Sequence, residues 1–279
     1  EQRNEIATQR DMVVQQRDQL EQINKSTSQS IDYAQRIQSS LMPEMSSFAV
    51  HFPESFLLFR PRDIVSGDFY WWAEVGNKTV VVAADCTGHG VPGAFMSILG
   101  ISFLREIVLK EQTTQPDKIL DLLRTEVIQA LQQKNTPGEQ RDGLDMTILT
   151  FEKGSNKARF AGAHNAIYHI KNRQLNEYQG DRFTIARYPK LKPFTVQEIE
   201  FKPGDKFYMF TDGFHDQFGG KTGRKIKKPR FQELILKVHE QNMQKQKHEL
   251  IQFLENWQGE EEQIDDILVM GFQIPEKGI

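Results

Sequence analysis

Ala84-Asp85-Cys86-Thr87-Gly88-His89-Gly90-Val91-Pro92-Gly93-Ala94 joins a β-branched run, residues 79–84, to an apolar segment with helical spacing, residues 94–110. The aspartate ends the strand, the glycines supply the turn, and Pro92 suits a first helical turn, where its missing N–H is no loss. Three further motifs repeat the pattern far away in the chain: Ser66-Gly67-Asp68-Phe69, Thr211-Asp212-Gly213 and Asp265-Asp266. Each sets a carboxylate beside a strand end. Any one of them alone fits an ordinary turn or cap aspartate. Together they describe an oxygen-ligand site for a hard divalent cation, whereas zinc or copper would call for His and Cys spacings that one Cys and seven dispersed His do not supply. The chemistry suited to such a cluster is hydrolysis of a phosphate ester.

The 279-residue length fits one large domain with an appendage. Lys plus Arg (35) against Asp plus Glu (38) leaves a net charge of -3, so no overall basic field draws in nucleic acid. A single Cys excludes a disulfide framework and fits a reducing, cytoplasmic setting. The longest apolar stretch, residues 94–104, is interrupted by Ser97, Gly100 and Ser102 and falls short of the ~20 residues that span a bilayer, so it reads as a core helix without membrane contact. The chain begins at Glu1 without Met and reads as part of something longer.

Residues 1–42 differ in kind from the rest. Arg3-Asn4, Arg10-Asp11 and Arg17-Asp18 recur every seven positions, and Ile6, Val13, Leu20, Thr27, Ala34 and Leu41 follow in one phase. This is a heptad repeat in a long helix, with a second seam weakened by Gln9, Gln16 and Ser30. Strict seven-residue spacing points to a coiled coil that makes a homodimer, with an amphipathic helix lying on its own domain as the alternative. Met42-Pro43 ends it. Over residues 48–274, ten short β segments bracket paired helices at 94–110, 116–133, 231–239 and 245–257. That pattern implies an α+β fold in which helices cover sheets. Residues 221–230 hold six basic residues, read either as a flap for a phosphorylated or acidic partner or as a solvated loop.

The opening motif, read with Ser66-Gly67-Asp68-Phe69-Tyr70, Phe210-Thr211-Asp212-Gly213-Phe214 and Asp265-Asp266-Ile267-Leu268-Val269, resembles the SpoIIE/RsbU branch of the metal-dependent PP2C-type serine/threonine phosphatases. The resemblance covers residues 31–274 in order and spacing. It implies an αββα sandwich, two Mn²⁺ or Mg²⁺ ions, and dephosphorylation of phosphoserine or phosphothreonine on a regulatory protein, commonly a STAS-type anti-sigma-factor antagonist. It also implies an upstream sensor acting through the N-terminal helix, whose residues 31–38 resemble the branch's linker.

By the same resemblance Asp85 bridges both ions, the carbonyl of Cys86 is a backbone ligand, and Asp68, Asp212 and Asp265 complete the shell. Asp265 is preferred to Asp266 as the first acid of its pair. Asp216 matches a position that helps hold a third, loosely bound ion. A water shared by two cations loses proton affinity and attacks phosphorus in line with the leaving oxygen. His89 is the local proton donor by type, or else it organises the turn, because this branch carries two more residues before Gly88-His89-Gly90 than its eukaryotic relatives. Cys86 stands where Val is usual and Ser66 where Gly is, with neither change removing a ligand. Of Trp71 and Trp72, one is expected in the core and the other over the site mouth. Ala163-His164-Asn165 resembles a loop near the family's metal site, or is a turn between strands. A catalytically silent, phosphatase-shaped binding module is the competing reading; the intact set of matched aspartates favours the enzyme.

Overall fold

The computed structural model describes residues 2–134, 142–188, 190–220 and 223–278, with the backbone alone for residues 3–8. Ile6 of the heptad and Lys221 of the basic run therefore lie outside the described side chains. The order is α1 (Gln2–Leu41), α2 (Met45–His51), β1 (Ser55–Arg60), β2 (Phe69–Val75), β3 (Lys78–Cys86), α3 (Gly90–Leu104), α4 (Pro116–Ala130), β4 (Leu144–Glu152) and β5 (Lys157–Ala163). Then follow β6 (Ile167–Lys171), β7 (Gln174–Tyr178), β8 (Gln197–Glu200), β9 (Lys206–Phe210), α5 (Gly213–Asp216), α6 (Lys228–Val238), α7 (Met243–Gln258) and β10 (Ile267–Gln273). The strands form two five-stranded sheets with antiparallel pairing, β1-β10-β9-β6-β7 and β2-β3-β4-β5-β8.

Side-chain alternation explains the layers. Along β3, Val80, Val82 and Ala84 pack under α3 and α4 with Met96, Ile101 and Leu123, whereas Val81 and Ala83 point between the sheets toward Met209 and Met270. On the other sheet, Tyr208, Phe210 and Val269 meet Phe231, Leu250 and Leu254 of α6 and α7. The result is helix pair, sheet, sheet, helix pair. Because both sheet faces are covered, the central strands are apolar almost throughout.

Helix α3 starts at Gly90, earlier than the apolar run suggests, and continues as a π-helical stretch, Arg105–Lys110. Residues 90–110 together are long and apolar enough to cross a membrane by length and composition. Met96, Ile101, Leu104, Ile107 and Val108 are nonetheless buried against the sheet, as a core helix requires. Helices α2 and α5 have no counterpart in the sequence reading. Trp71 is in the core, but Trp72 corrects its expectation: it packs on Phe48 and His51 of α2, at 5.9 and 5.6 Å between ring centroids, and does not cover the site. Both faces of β2 are core faces, so neither tryptophan is left for the mouth.

Phe151 centres the layer between the sheets, with Phe52, Phe201, Phe207 and Phe272 at 5.5, 5.6, 5.6 and 5.9 Å. Phe151→Ala is expected to cost about 3–5 kcal/mol of unfolding free energy by chemical denaturation, the usual range for a truncated core aromatic. A loss under about 1 kcal/mol would contradict this packing.

Candidate active site

The aspartates gather where the two sheets share an end. Asp85 is the penultimate residue of β3, and Asp68 immediately precedes β2, whose Phe69 pairs with Ala84. Asp212 follows β9 and caps α5; Asp265 precedes β10, which pairs with β9. A side-chain hydrogen bond joins the halves: Thr211 Oγ1 donates to Asp68 Oδ2 at 2.6 Å, while Thr211 Oγ1 itself accepts from the Leu268 N–H at 3.1 Å.

Asp265 and Asp266 divide the labour of their pair. Asp266 is buried and accepts from the backbone N–H groups of Arg62 and Gly67, both at 2.7 Å, so it anchors the loop that carries Asp68. Asp265 accepts from the Asp266 N–H at 2.8 Å and is less buried, with its charge felt at Asp85 and Asp212. Glycines let the loops close on each other. A Cβ at Gly67 would stand 2.5 Å from the Gly88 carbonyl oxygen and 3.2 Å from that of Cys86, and Gly88 itself has φ +86, a left-handed value that favours glycine. The Cys86 carbonyl thus lies against the Asp68 loop.

Burial, then the neighbouring carboxylates, push the group upward in pKa. Asp68 is held well above the usual carboxylate range by burial and by Asp85. Asp85 is raised by burial, then Asp212, Asp265 and Asp145. Asp212 is pushed up to about 6 by burial and then by Asp265, Asp216 and Asp145. The Cys86 thiol, buried beside these charges, is raised too, as an inert core thiol would be.

Asp145 is the member that sequence reasoning missed. It faces Asp85 directly across the β3–β4 ladder, and like charges in that position repel. Its Oδ1 is buried without a partner, and its Oδ2 lies 2.7 Å from His164 Nδ1. His164 has φ +62, a costly backbone for a non-glycine residue, which aims it at Asp145. His89, about half exposed, pairs with Asp63 at 2.9 Å and caps α3, tying the residue 61–65 loop to the start of that helix. Asp216 is paired with Lys225 at 2.6 Å.

Among the described residues, no three of these side chains already close around one point as a finished ligand shell. The donor set nevertheless fits a hard divalent cation: oxygens only, mutually repelling, with Asp145 Oδ1 buried and unpartnered.

Helix pairs enclosing two sheets, with aspartates collected at one common end, define a phosphatase domain of the PP2C type. Residues 76–275 match the family described as Stage II sporulation protein E (SpoIIE), and the chain belongs to that family. It is similar to the SiaA-PP2C domain of Pseudomonas aeruginosa at 29% identity, over 90% of this chain and 98% of that one, with a TM-score of 0.81. The RsbU and RsbW domains of a Mycobacterium tuberculosis protein share its fold at 18% identity and TM-score 0.63, with 80% of this chain and 60% of that one covered. So does the PP2C phosphatase domain, with a regulatory fragment, of Bacillus subtilis SpoIIE, at 18% identity and TM-score 0.63, over 80% and 63% of the two chains. No curated protein matches the chain.

Asp212 has a folded pKa of about 6, above its ordinary 3.8, so its contribution to stability is full below that lower value and lost as pH rises through the upper one. Asp68 and Asp85 shift the same way. In EDTA, the thermal midpoint is therefore expected to fall from about pH 5 to about pH 7.5, where carboxylates are forced to ionise together. Asp212→Asn is expected to raise the midpoint at the higher pH by about 2–4 °C, what ~1 kcal/mol is worth in a domain of this size. A midpoint that rises with pH, or is lowered by Asp212→Asn, would contradict the repulsion.

Proposed function

We propose that this domain is a metal-dependent protein phosphatase that hydrolyses phosphoserine or phosphothreonine on a regulatory protein, of the STAS-type anti-sigma-factor antagonist class that the family resemblance implies. The carrying observation is the convergence of Asp68, Asp85, Asp212 and Asp265 from both sheets on one edge, each with a raised pKa. Asp85 would bridge two Mn²⁺ or Mg²⁺ ions with the Cys86 carbonyl, and Asp68, Asp212 and Asp265 would complete the shell. Asp216, with Asp145 beside the cluster, would help hold a third ion. When bound, the cations supply a water of lowered proton affinity and positive charge for the phosphoryl oxygens. His89, held by Asp63 at 2.9 Å, would be the proton donor for the leaving oxygen, with His164, held by Asp145 at 2.7 Å, as a second donor by type.

Asp85→Asn is expected to lower Mn²⁺-dependent hydrolysis of p-nitrophenyl phosphate and of a phosphoprotein by more than the roughly 10–100-fold that an outer-shell change costs. Turnover insensitive to EDTA and to this change would favour a silent binding module.

Regulation through α1 belongs to the same reading. Val13, Leu20 and Ile23 are 63%, 60% and 62% exposed on the single chain, as a seam awaiting a second protomer would be. At its other end α1 is tied to the site: the buried Gln38 amide donates to the Ser66 carbonyl at 2.5 Å and to Ser97 Oγ at 2.7 Å, and Gln38 Oε1 accepts from the Ser66 N–H at 3.1 Å. Ser66 is two residues from Asp68, and Ser97 lies on α3. Deleting residues 1–40 is expected to give a monomer by light scattering. Gln38→Ala in the full chain is expected to weaken Mn²⁺ binding by calorimetry by up to about tenfold, the low end for outer-shell support. Unchanged mass and affinity would remove α1 from the account.

A further inference from the structure

The described part of the basic run, residues 223–230, is ordered against the residues that follow Asp212. A loop that was merely solvated would lie free of the site. Residues 215–219 and 223–227 instead zip together: the Ile226 N–H donates to the Gln217 carbonyl at 3.1 Å, the Gly219 N–H to the Arg224 carbonyl at 3.0 Å, and the Lys227 N–H to the His215 carbonyl at 2.6 Å. Lys227 holds φ +69, a strained value for a non-glycine residue that only a fixed surrounding maintains.

This hairpin walls a cleft of ≈ 530 Å³ whose lining includes Arg224, Lys225, Lys227 and Arg230, with Glu233 as its one carboxylate and Trp257 as an aromatic floor. The Arg230 guanidinium lies 4.4 Å from the Trp257 ring centroid, so the floor also orients a fork of donors. At the other rim, Lys225 Nζ meets Asp216 Oδ2 at 2.6 Å, and Asp216 ends the short helix α5 that Asp212 begins, which places the cleft at the edge of the carboxylate cluster. A chain of net charge -3 with its aspartates gathered at one place repels an anionic partner there. The cleft is the local reversal of that field.

We propose that this cleft docks an acidic segment of the phosphoprotein substrate, taking Asp and Glu side chains that neighbour the phosphorylated residue. The partner's identity rests on the phosphatase reading; the cleft's preference for carboxylates on an apolar floor does not. Arginine forks suit carboxylates in pairs, and the indole carries the stems beside them. A lone aromatic gives no run of stacking platforms for a nucleic-acid strand, so protein is the occupant.

The test separates docking from turnover. In EDTA, fluorescence anisotropy of the whole chain with labelled unphosphorylated peptides is expected to show the Asp/Glu-rich peptide bound at least about tenfold more tightly than its Asn/Gln counterpart, a ~1.4 kcal/mol difference. That preference is expected to collapse at high salt. Lys227→Gln with Arg230→Gln is expected to abolish it; should the pair not fold, Lys227→Gln alone is expected to reduce it. Equal binding of the two peptides, a preference untouched in a folded variant, or an oligothymidylate of matched charge binding as well as the acidic peptide, would each overturn the proposal. With Mn²⁺ and phosphorylated versions, selective binding without hydrolysis of either peptide would sink the phosphatase reading and keep the cleft. Hydrolysis of both at one rate, with unselective binding, would do the reverse.

Discussion

Carboxylates crowded where two sheets end are the constraint around which the rest of this domain is arranged. Asp85 and Asp145 face each other across one ladder, and Asp212 and Asp265 arrive from the other sheet. Such a cluster costs stability in any fold that lacks a compensating cation. It is held by contacts that spend few polar groups of the cluster itself. Thr211 ties Asp68 across the sheets, and Asp266 clamps the loop before Asp68 through the amides of Arg62 and Gly67. The acid next to the cluster is thus a structural brace, and the one beside it stays with the cluster.

Glycine makes the approach possible at the loops. The Cβ positions of Gly67 and Gly93 would collide with the Gly88 carbonyl at 2.5 and 2.3 Å, so side chains at either place would push the Asp68 loop, the Asp85 loop and α3 apart. Sequence motifs that look like turn chemistry are therefore packing rules for three segments that meet. His89 and Asp63 add a tie from the rim, which gives that histidine a part in holding the turn.

The ten strands were legible because both faces of each central strand are covered, which writes apolar, β-branched runs into the sequence. Seven of them differ from the reading by one or two residues at an end, as strand ends do when loops continue the pairing, while β7, β9 and β10 match it. Helix α2 was not legible: it has seven residues and no side-chain cap, and only Phe48 is buried. Helix α5 is a single turn behind Asp212. Trp72 shows why alternation alone misleads: opposite faces were foreseen, but in a two-sheet stack both are interior. The aspartates at recognisable motifs could be picked out one by one. Asp145 could not, since its importance lies in sitting opposite Asp85, a fact of register that no local pattern carries. The basic run likewise revealed its place only once the hairpin brought Lys225 to Asp216.

Two outlying elements reach the cluster by physically different routes. Helix α1 does so through Gln38, a buried neutral amide that grips the backbone beside Asp68 and a hydroxyl on α3. The hairpin does so through Lys225, a half-buried charge on Asp216, four residues past Asp212. Amide contacts in a dry interior are indifferent to ionic strength, whereas an ion pair at a rim is screened. A change in the geometry of α1 would therefore act on the Asp68 side as a displacement of backbone. An anion entering the cleft would act on the Asp212 side as a redistribution of charge, because it competes with Asp216 for Lys225. On the proposed function, the same carboxylate cluster would receive a mechanical input and an electrostatic one without the two sharing a single contact.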